Sequence, residues 1–215
     1  MTTAEPRRHR AGLTLGQRVI KRSFDLGLAF TGLLVVGPLI MCCWIGAAIN
    51  TRSNGFFLQE RIGKNGRPFK IIKIKTMRPL AHVDTTVTTH RDPRITALGH
   101  FFRKTKLDEL PQLVNIIMGQ MSFVGPRPDA PGYADQLAGE DRIILSVRPG
   151  ITGPASLYFR DEEILLGQQS DPEHYNNEVL YPRKVELNKS YVENYSFCAD
   201  FRYIRQTLSG RRMDA

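Results

Sequence analysis

From Leu26 to Ile49 the chain runs for 24 residues without a charged side chain. As an α-helix that run would measure about 36 Å, enough for a hydrocarbon core of about 30 Å. Gly37-Pro38 falls near its middle, where proline removes a helical hydrogen bond and bends the axis. The run is too long for a secretory leader, and no small-residue cleavage site follows it. Beyond residue 55 the spacing changes. Phe56-Phe57-Leu58 and the segment Phe69 to Met77 read as two short strands, split by a turn at residues 63–68. Residues 79–96 are polar and threonine-rich and read as a mobile loop. Over Ala97 to Lys106, Leu98, Phe101 and Phe102 share one helical face against Arg103, Lys104 and Lys106. That pattern suits a short amphipathic helix, at a headgroup region or against a core. Leu110, Leu113, Val114 and Ile117 then repeat at helical spacing behind Asp108-Glu109. Aspartate is a favoured N-cap and Pro111 fits a first turn, so a helix is expected from about Asp108. Two Pro/Gly-rich loops follow, at 122–128 and 147–154, each holding one arginine (Arg127, Arg148) among residues that form rigid turns. Residues 160–208 read as mixed loop and helix, and no internal repeat is visible.

Composition narrows the class. With 215 residues, 41% of them hydrophobic, and a mean hydropathy of −0.27, the chain is no multi-span transporter. Thirty Lys and Arg against 21 Asp and Glu give +9, which predicts an acidic partner: nucleic acid, anionic lipid or a phosphorylated substrate. The charge is concentrated. Residues 1–25 carry six basic side chains against two acids, and residues 50–78 carry eight against one. Basic flanks on both sides of an apolar run argue against a single span, because the positive-inside rule places the excess on one side only. They favour a helix broken at Gly37 and Pro38 that enters and leaves by the same leaflet. Three cysteines (Cys42, Cys43, Cys198) without a CxxC spacing exclude a disulfide framework and a zinc knuckle.

Standard phosphate motifs are missing: there is no GxxxxGK[ST] and no GxGxxG. The five histidines are scattered, and neither serine nor cysteine lies in a GxSxG elbow. What remains is the Asp108-Glu109 pair, placed at an expected helix start among basic residues. The positive end of a helix dipole keeps such carboxylates ionised and attracts phosphate. An ionised aspartate can attack a phosphoryl group if a divalent cation screens the anions and Arg or Lys clamps the oxygens. Lys73, Lys75, Arg127 and Arg148 are available for that clamp. Taken alone, an Asp-Glu at a helix start is usually a cap, and an arginine in a Pro/Gly loop usually a turn residue. The combination favours an enzyme over a membrane-tethered basic binding module or a structural anchor, neither of which needs Asp108.

Six blocks occur in order: Lys21-Arg-Ser-Phe-Asp25, Gln59-Glu-Arg-Ile-Gly63, Phe69 to Met77, Lys106-Leu-Asp-Glu-Leu-Pro-Gln-Leu113, Met121-Ser-Phe-Val-Gly-Pro-Arg-Pro128 and Val147-Arg-Pro-Gly-Ile-Thr-Gly153. Together they closely resemble the bacterial sugar transferase family, the monotopic polyprenyl-phosphate phosphoglycosyl transferases, over about residues 17–205. The resemblance implies an α+β monotopic membrane protein with a re-entrant broken helix, interfacial amphipathic helices and a small cytosolic α/β portion. It implies four regions: a basic, flexible N-terminus (1–17), the membrane helix-break-helix (18–50), a cytosolic and interfacial catalytic domain (51–208) and a tail (209–215). The implied reaction moves a hexose 1-phosphate from a UDP-sugar to polyprenyl (undecaprenyl) phosphate and releases UMP, through a covalent phospho-sugar aspartyl enzyme and with Mg²⁺. Asp108 then becomes nucleophile and metal ligand, and Glu109 orients the site or assists proton removal. Lys73, Lys75, Arg127 and Arg148 become phosphate contacts. The implied partners are the UDP-sugar, polyprenyl phosphate and membrane lipid but no nucleic acid, with a homodimer allowed. The implied location is the cytoplasmic face of a bacterial inner membrane. Relatives more often carry Ser-Pro where this chain has Gly37-Pro38, and some carry an acidic residue in place of Asn188, three before Tyr191. Sugar choice is expected to lie in loop 79–96 and residues 155–190. At 215 residues, the chain is expected to be the small, catalytic-domain-only form.

Overall fold

The structure, a computed structural model, describes residues 12–78 and 92–210. Residues 1–11 of the N-terminal region expected to be flexible, most of the threonine-rich loop and the end of the tail lie outside those residues. The apolar run forms one helix, α1 (Leu15–Thr51), opened by a capping box between Thr14 and Gln17 and closed by Arg52 in the left-handed conformation. Here the expected division of 18–50 into helix, break and helix is corrected. Pro38 lies inside a helix that continues on both sides of it. Proline removes one donor and crowds the carbonyl four residues back, which bends a helix without obliging it to end. The start also moves, from 18 to Leu15.

Lys21, Asp25, Ala29, Ile40, Cys43 and Ala47 line the buried stripe of α1. Away from it, Leu34, Val35 and Ile49 are 82%, 73% and 75% exposed. That stripe covers a hairpin of β1 (Phe56–Ile62) and β2 (Pro68–Ile74), antiparallel in the register Phe56↔Ile74 to Ile62↔Pro68. The first strand runs four residues beyond the expected Leu58, because a hairpin with one solvated face accepts Gln59, Glu60 and Arg61. The turn passes through Asn65 and Gly66, both at positive φ. One core cluster joins Ala29 to Phe69, Ile71, Leu113, Ile116 and Met121. A second joins Ile40, Cys43 and Ala47 to Ile74 and Phe102. The long helix is therefore packed against the body at its middle and toward its C-terminal end.

Helix α2 (Ala97–Thr105) is capped by Thr96 and buries Phe102, with Leu98 partly covered. Phe101 is exposed, so the three apolar residues do not share one covered face. Lys106, in the left-handed conformation, ends α2 and starts a single 3-10 turn, Leu107–Glu109. Only then does α3 (Gln112–Ile117) begin. The expected helix start at Asp108 is thus corrected by four residues; Pro111 sits at its N-cap, and no acidic side chain caps it.

The two Pro/Gly-rich loops contain a parallel strand pair, β3 (Ser122–Val124) and β4 (Gly150–Thr152). The rest is helical: α4 (Pro154–Tyr158), α5 (Glu162–Gly167), α6 (Pro172–Tyr175), a π-turn, α7 (Tyr181–Glu193) and α8 (Phe197–Ser209). Polar ties fasten α1 to this half. Lys21 Nζ donates to Asp200 Oδ2 at 2.6 Å, and Asp25 Oδ1 accepts from Ser122 Oγ and Phe123 N at 3.1 Å.

Candidate active site

Three pieces of chain converge on Glu109: the end of β2, the 3-10 turn and the loop after β3. Lys73 Nζ lies 3.2 Å from Glu109 Oε1, and Arg127 Nη2 donates to the same oxygen at 2.7 Å. Glu109 is nearly covered, whereas the Arg127 side chain is 46% exposed and can present its remaining N–H groups outward. Burial alone would raise the Glu109 pKa. Arg127 and Lys73 outweigh that and hold its carboxyl well below the usual carboxylate range. Lys73 is itself lowered by burial, with Glu109 opposing the shift.

Asp108 behaves differently. It is 6% exposed, and its Oδ1 is buried without a hydrogen-bond partner. Burial pushes its pKa up, and the charge of Glu109 adds to the effect, with Lys73 opposing. The expected mechanism, a helix dipole keeping both carboxylates ionised, is therefore corrected. The following helix is short and starts later, and the cations around Glu109 set the electrostatics instead. Two carboxylates one residue apart are driven in opposite directions, which is the usual basis for separate roles.

Of the other expected contacts, Lys75 Nζ donates to Ser53 Oγ at 2.8 Å and makes no described bond to the pair. Arg148 Nε donates to the carbonyl of Gly119 at 2.7 Å and lines a different cleft, with Arg18, Arg22 and Lys64. The structure thus brings together Asp108, Glu109, Lys73 and Arg127, and leaves Lys75 and Arg148 elsewhere. It adds two residues that pattern reading passed over. Arg61 feels the charges of Arg127, Asp129 and Glu109. Asp129 is raised to about 6 by burial, against the pull of Lys184 and Arg61. Their signals were present: Arg61 lies in the Gln59-Glu-Arg block, and Asp129 directly follows Pro-Arg-Pro. Asn188 is buried with an unpartnered Oδ1.

Among the described residues no group of three or more His, Cys, Asp or Glu side chains could hold a metal ion by itself. Mg²⁺ is characteristically held by one or two carboxylates, with phosphate and water oxygens completing its shell, and Asp108 Oδ1 is a buried oxygen without a partner. Gly37 and Pro38 lie within α1, with Gly37 beside an apolar groove that Trp44 and Phe56 also line.

A buried carboxylate pair with two cations on one oxygen sits in a body packed along one helix long and apolar enough to cross a membrane. The chain belongs to the bacterial sugar transferase family: the profile described as Bacterial sugar transferase matches residues 16–211. It is 33% identical over 197 residues to the UDP-glucose:undecaprenyl-phosphate glucose-1-phosphate transferase of Escherichia coli (strain K12), covering 89% of this chain and 40% of that relative. It is 32% identical over 206 residues to the exopolysaccharide production protein ExoY of Sinorhizobium fredii, covering 88% of this chain and 84% of the relative. It is 33% identical over 196 residues to the undecaprenyl-phosphate glucose phosphotransferase of Komagataeibacter xylinus, covering 87% and 35%. The chain therefore spans well under half the length of two of these three relatives.

Proposed function

We propose that this chain is a phosphoglycosyl transferase that moves a hexose 1-phosphate from a UDP-sugar to polyprenyl phosphate and releases UMP. The observation that carries the reading is the contrast within the pair: Asp108 Oδ1 buried and free, Glu109 Oε1 shared by Lys73 and Arg127. The Asp108 carboxylate attacks the sugar-linked phosphorus of the UDP-sugar. The new bond is carboxylate oxygen to phosphorus, the broken bond is phosphorus to bridging oxygen, and UMP leaves with the electron pair. An oxygen of polyprenyl phosphate then attacks the same phosphorus and restores the Asp108 carboxylate. Arg127 and Lys73 hold phosphate oxygens while charge moves across them. Glu109, kept strongly acidic, is poorly suited to take a proton and serves by positioning those two cations. Bound through Asp108, Mg²⁺ supplies charge neutralisation on the diphosphate.

The packing of α1 supports a monotopic arrangement, with the whole body on the cytoplasmic side of a bacterial inner membrane, where UDP-sugars are made. The exposed side of α1, carrying Leu34, Val35 and Ile49, then faces lipid. The test is Asp108→Asn, which keeps size and removes the nucleophile. UMP release from a panel of UDP-sugars with undecaprenyl phosphate should fall by roughly a thousandfold or more in the folded variant. The unsubstituted chain, given a UDP-sugar without acceptor, should gain one hexose-phosphate on the peptide carrying Asp108. Near-normal turnover in Asp108→Asn would overturn the assignment.

A further inference from the structure

Arg148 belongs to a second constellation. Arg18 and Arg22 from α1, Lys64 from the β1–β2 turn and Arg148 border one cleft, together with Ser146 and Asp25. The turn carrying Lys64 and the strand end carrying Lys73 are opposite ends of the hairpin. Five residues of strand from Pro68 to Lys73 already separate them by about 17 Å. Three of the polar neighbours in the cleft have partners. Arg22 Nη1 and Nη2 donate to the carbonyls of Ile116 and Ile117 at 2.7 and 3.0 Å, and Arg148 Nε to that of Gly119. Both guanidinium groups keep further N–H donors. Asp25 is occupied by Ser122 and Phe123. Among the described residues, none of the four cations makes a salt bridge to a carboxylate.

Two observations distinguish this cleft. Ser146 Oγ is buried and has no hydrogen-bond partner, although buried hydroxyls are normally satisfied. The Lys64 ammonium is pushed below its usual pKa by burial and then by Arg148 and Arg18, as expected where like charges share a site. Arg22 and Arg18 precede the uncharged run by four and eight residues, on the basic flank of α1.

We propose that this cleft is a second phosphate-binding site, distinct from the Asp108-Glu109 centre. It takes a phosphate group, carried by an anionic phospholipid headgroup or free in solution. Arg22 and Arg148 present their unused N–H groups, and Lys64 and Arg18 complete the neutralisation. The inference does not rest on the transferase reading.

The test uses the full chain in neutral detergent micelles, with thermal unfolding followed by intrinsic fluorescence. Inorganic phosphate is titrated in one arm, short-chain phosphatidylglycerol in a second and short-chain phosphatidylcholine in a third. The melting temperature should rise with phosphatidylglycerol or with inorganic phosphate, and not with phosphatidylcholine. A rise with phosphatidylglycerol alone assigns a lipid headgroup; a rise with inorganic phosphate as well assigns the site to phosphate from either source. Arg18→Gln/Lys64→Ala should weaken the apparent affinity by roughly tenfold, and Asp108→Asn should leave it intact. Lys64→Ala alone removes no described side-chain bond and serves if the double variant does not fold. No rise in the unsubstituted chain would overturn the proposal. So would an equal rise in Lys64→Ala and the double variant, or a rise abolished by Asp108→Asn.

Discussion

Glu109 Oε1 accepts from both Lys73 and Arg127, and that sharing separates two carboxylates that lie next to each other in the chain. Glu109 is held ionised far below its ordinary pKa, while burial and the neighbouring negative charge lift Asp108. If Asp108 must be ionised to attack, formation of the phospho-sugar adduct should rise with pH through a pKa above the ordinary aspartate value of 3.8. Glu109→Gln removes the neighbouring charge and leaves Lys73 and Arg127 without their carboxylate, so both changes favour ionised Asp108. The acid limb of the adduct-formation profile should therefore move to lower pH, while the maximal rate falls as the two cations lose their anchor. A limb that moves to higher pH would show that Glu109 does not set the ionisation of Asp108. Stability should follow the opposite sign for the two groups. The contribution of Glu109 is complete above its ordinary 4.5 and is lost as pH falls through its lower folded value, whereas Asp108 favours the fold in its protonated form.

Among the elements, those with strong periodicity or long apolar runs were legible in the sequence, and those defined by distant partners were not. The uncharged run, the hairpin and α2 all follow from local pattern. Local pattern presents β3 and β4 as loops because they are three residues long and set among prolines and glycines, which are local signals for turns. Their pairing explains the glycines differently. A Cβ on Gly150 would lie 2.2 Å from the Gly125 nitrogen, so the two backbones meet where no side chain fits. Gly150→Ala should cost about 3 kcal/mol by forcing the pair apart, read as a fall in the thermal midpoint. A midpoint unchanged within error would mean the pair can separate without loss. The position of Arg148 was unreadable for the same reason: its neighbours Arg22 and Lys64 are more than 80 residues away in sequence. Arg127 and Arg148 carry the same local signal, an arginine in a Pro/Gly-rich loop, and only the fold sets the first against Glu109 and the second against Gly119.

For the whole molecule, the question is on which side of the membrane the two flanks of α1 lie. Near its start, Lys21 is bonded to Asp200 and Asp25 to Ser122. Near its end, Ala47 packs with Ile74 and Phe102, and the Asn50 carbonyl accepts from Arg78. Between them, Ala29 lies in a core with Phe69, Leu113 and Ile116. Lys21 to Ala47 covers about 39 Å of helix, more than the thickness of a hydrocarbon core. If α1 crossed a bilayer, the attached hairpin, with Glu60, Lys70 and Lys73, would be drawn into hydrocarbon beside it, and charges there are costly. With the body on one side, only the exposed face of α1 need meet lipid. Single cysteines at Gly16 and Ser170, in a chain lacking Cys42, Cys43 and Cys198, distinguish the two arrangements. Gly16 has open space around it and Ser170 is exposed, so both tolerate the change. Both should be shielded from an impermeant thiol reagent in intact cells and become labelled together once the inner membrane is opened. Labelling at Gly16 from outside, with Ser170 still shielded, would make α1 a span and require the contacts of Lys21 and Asp25 with the body to be absent in the membrane.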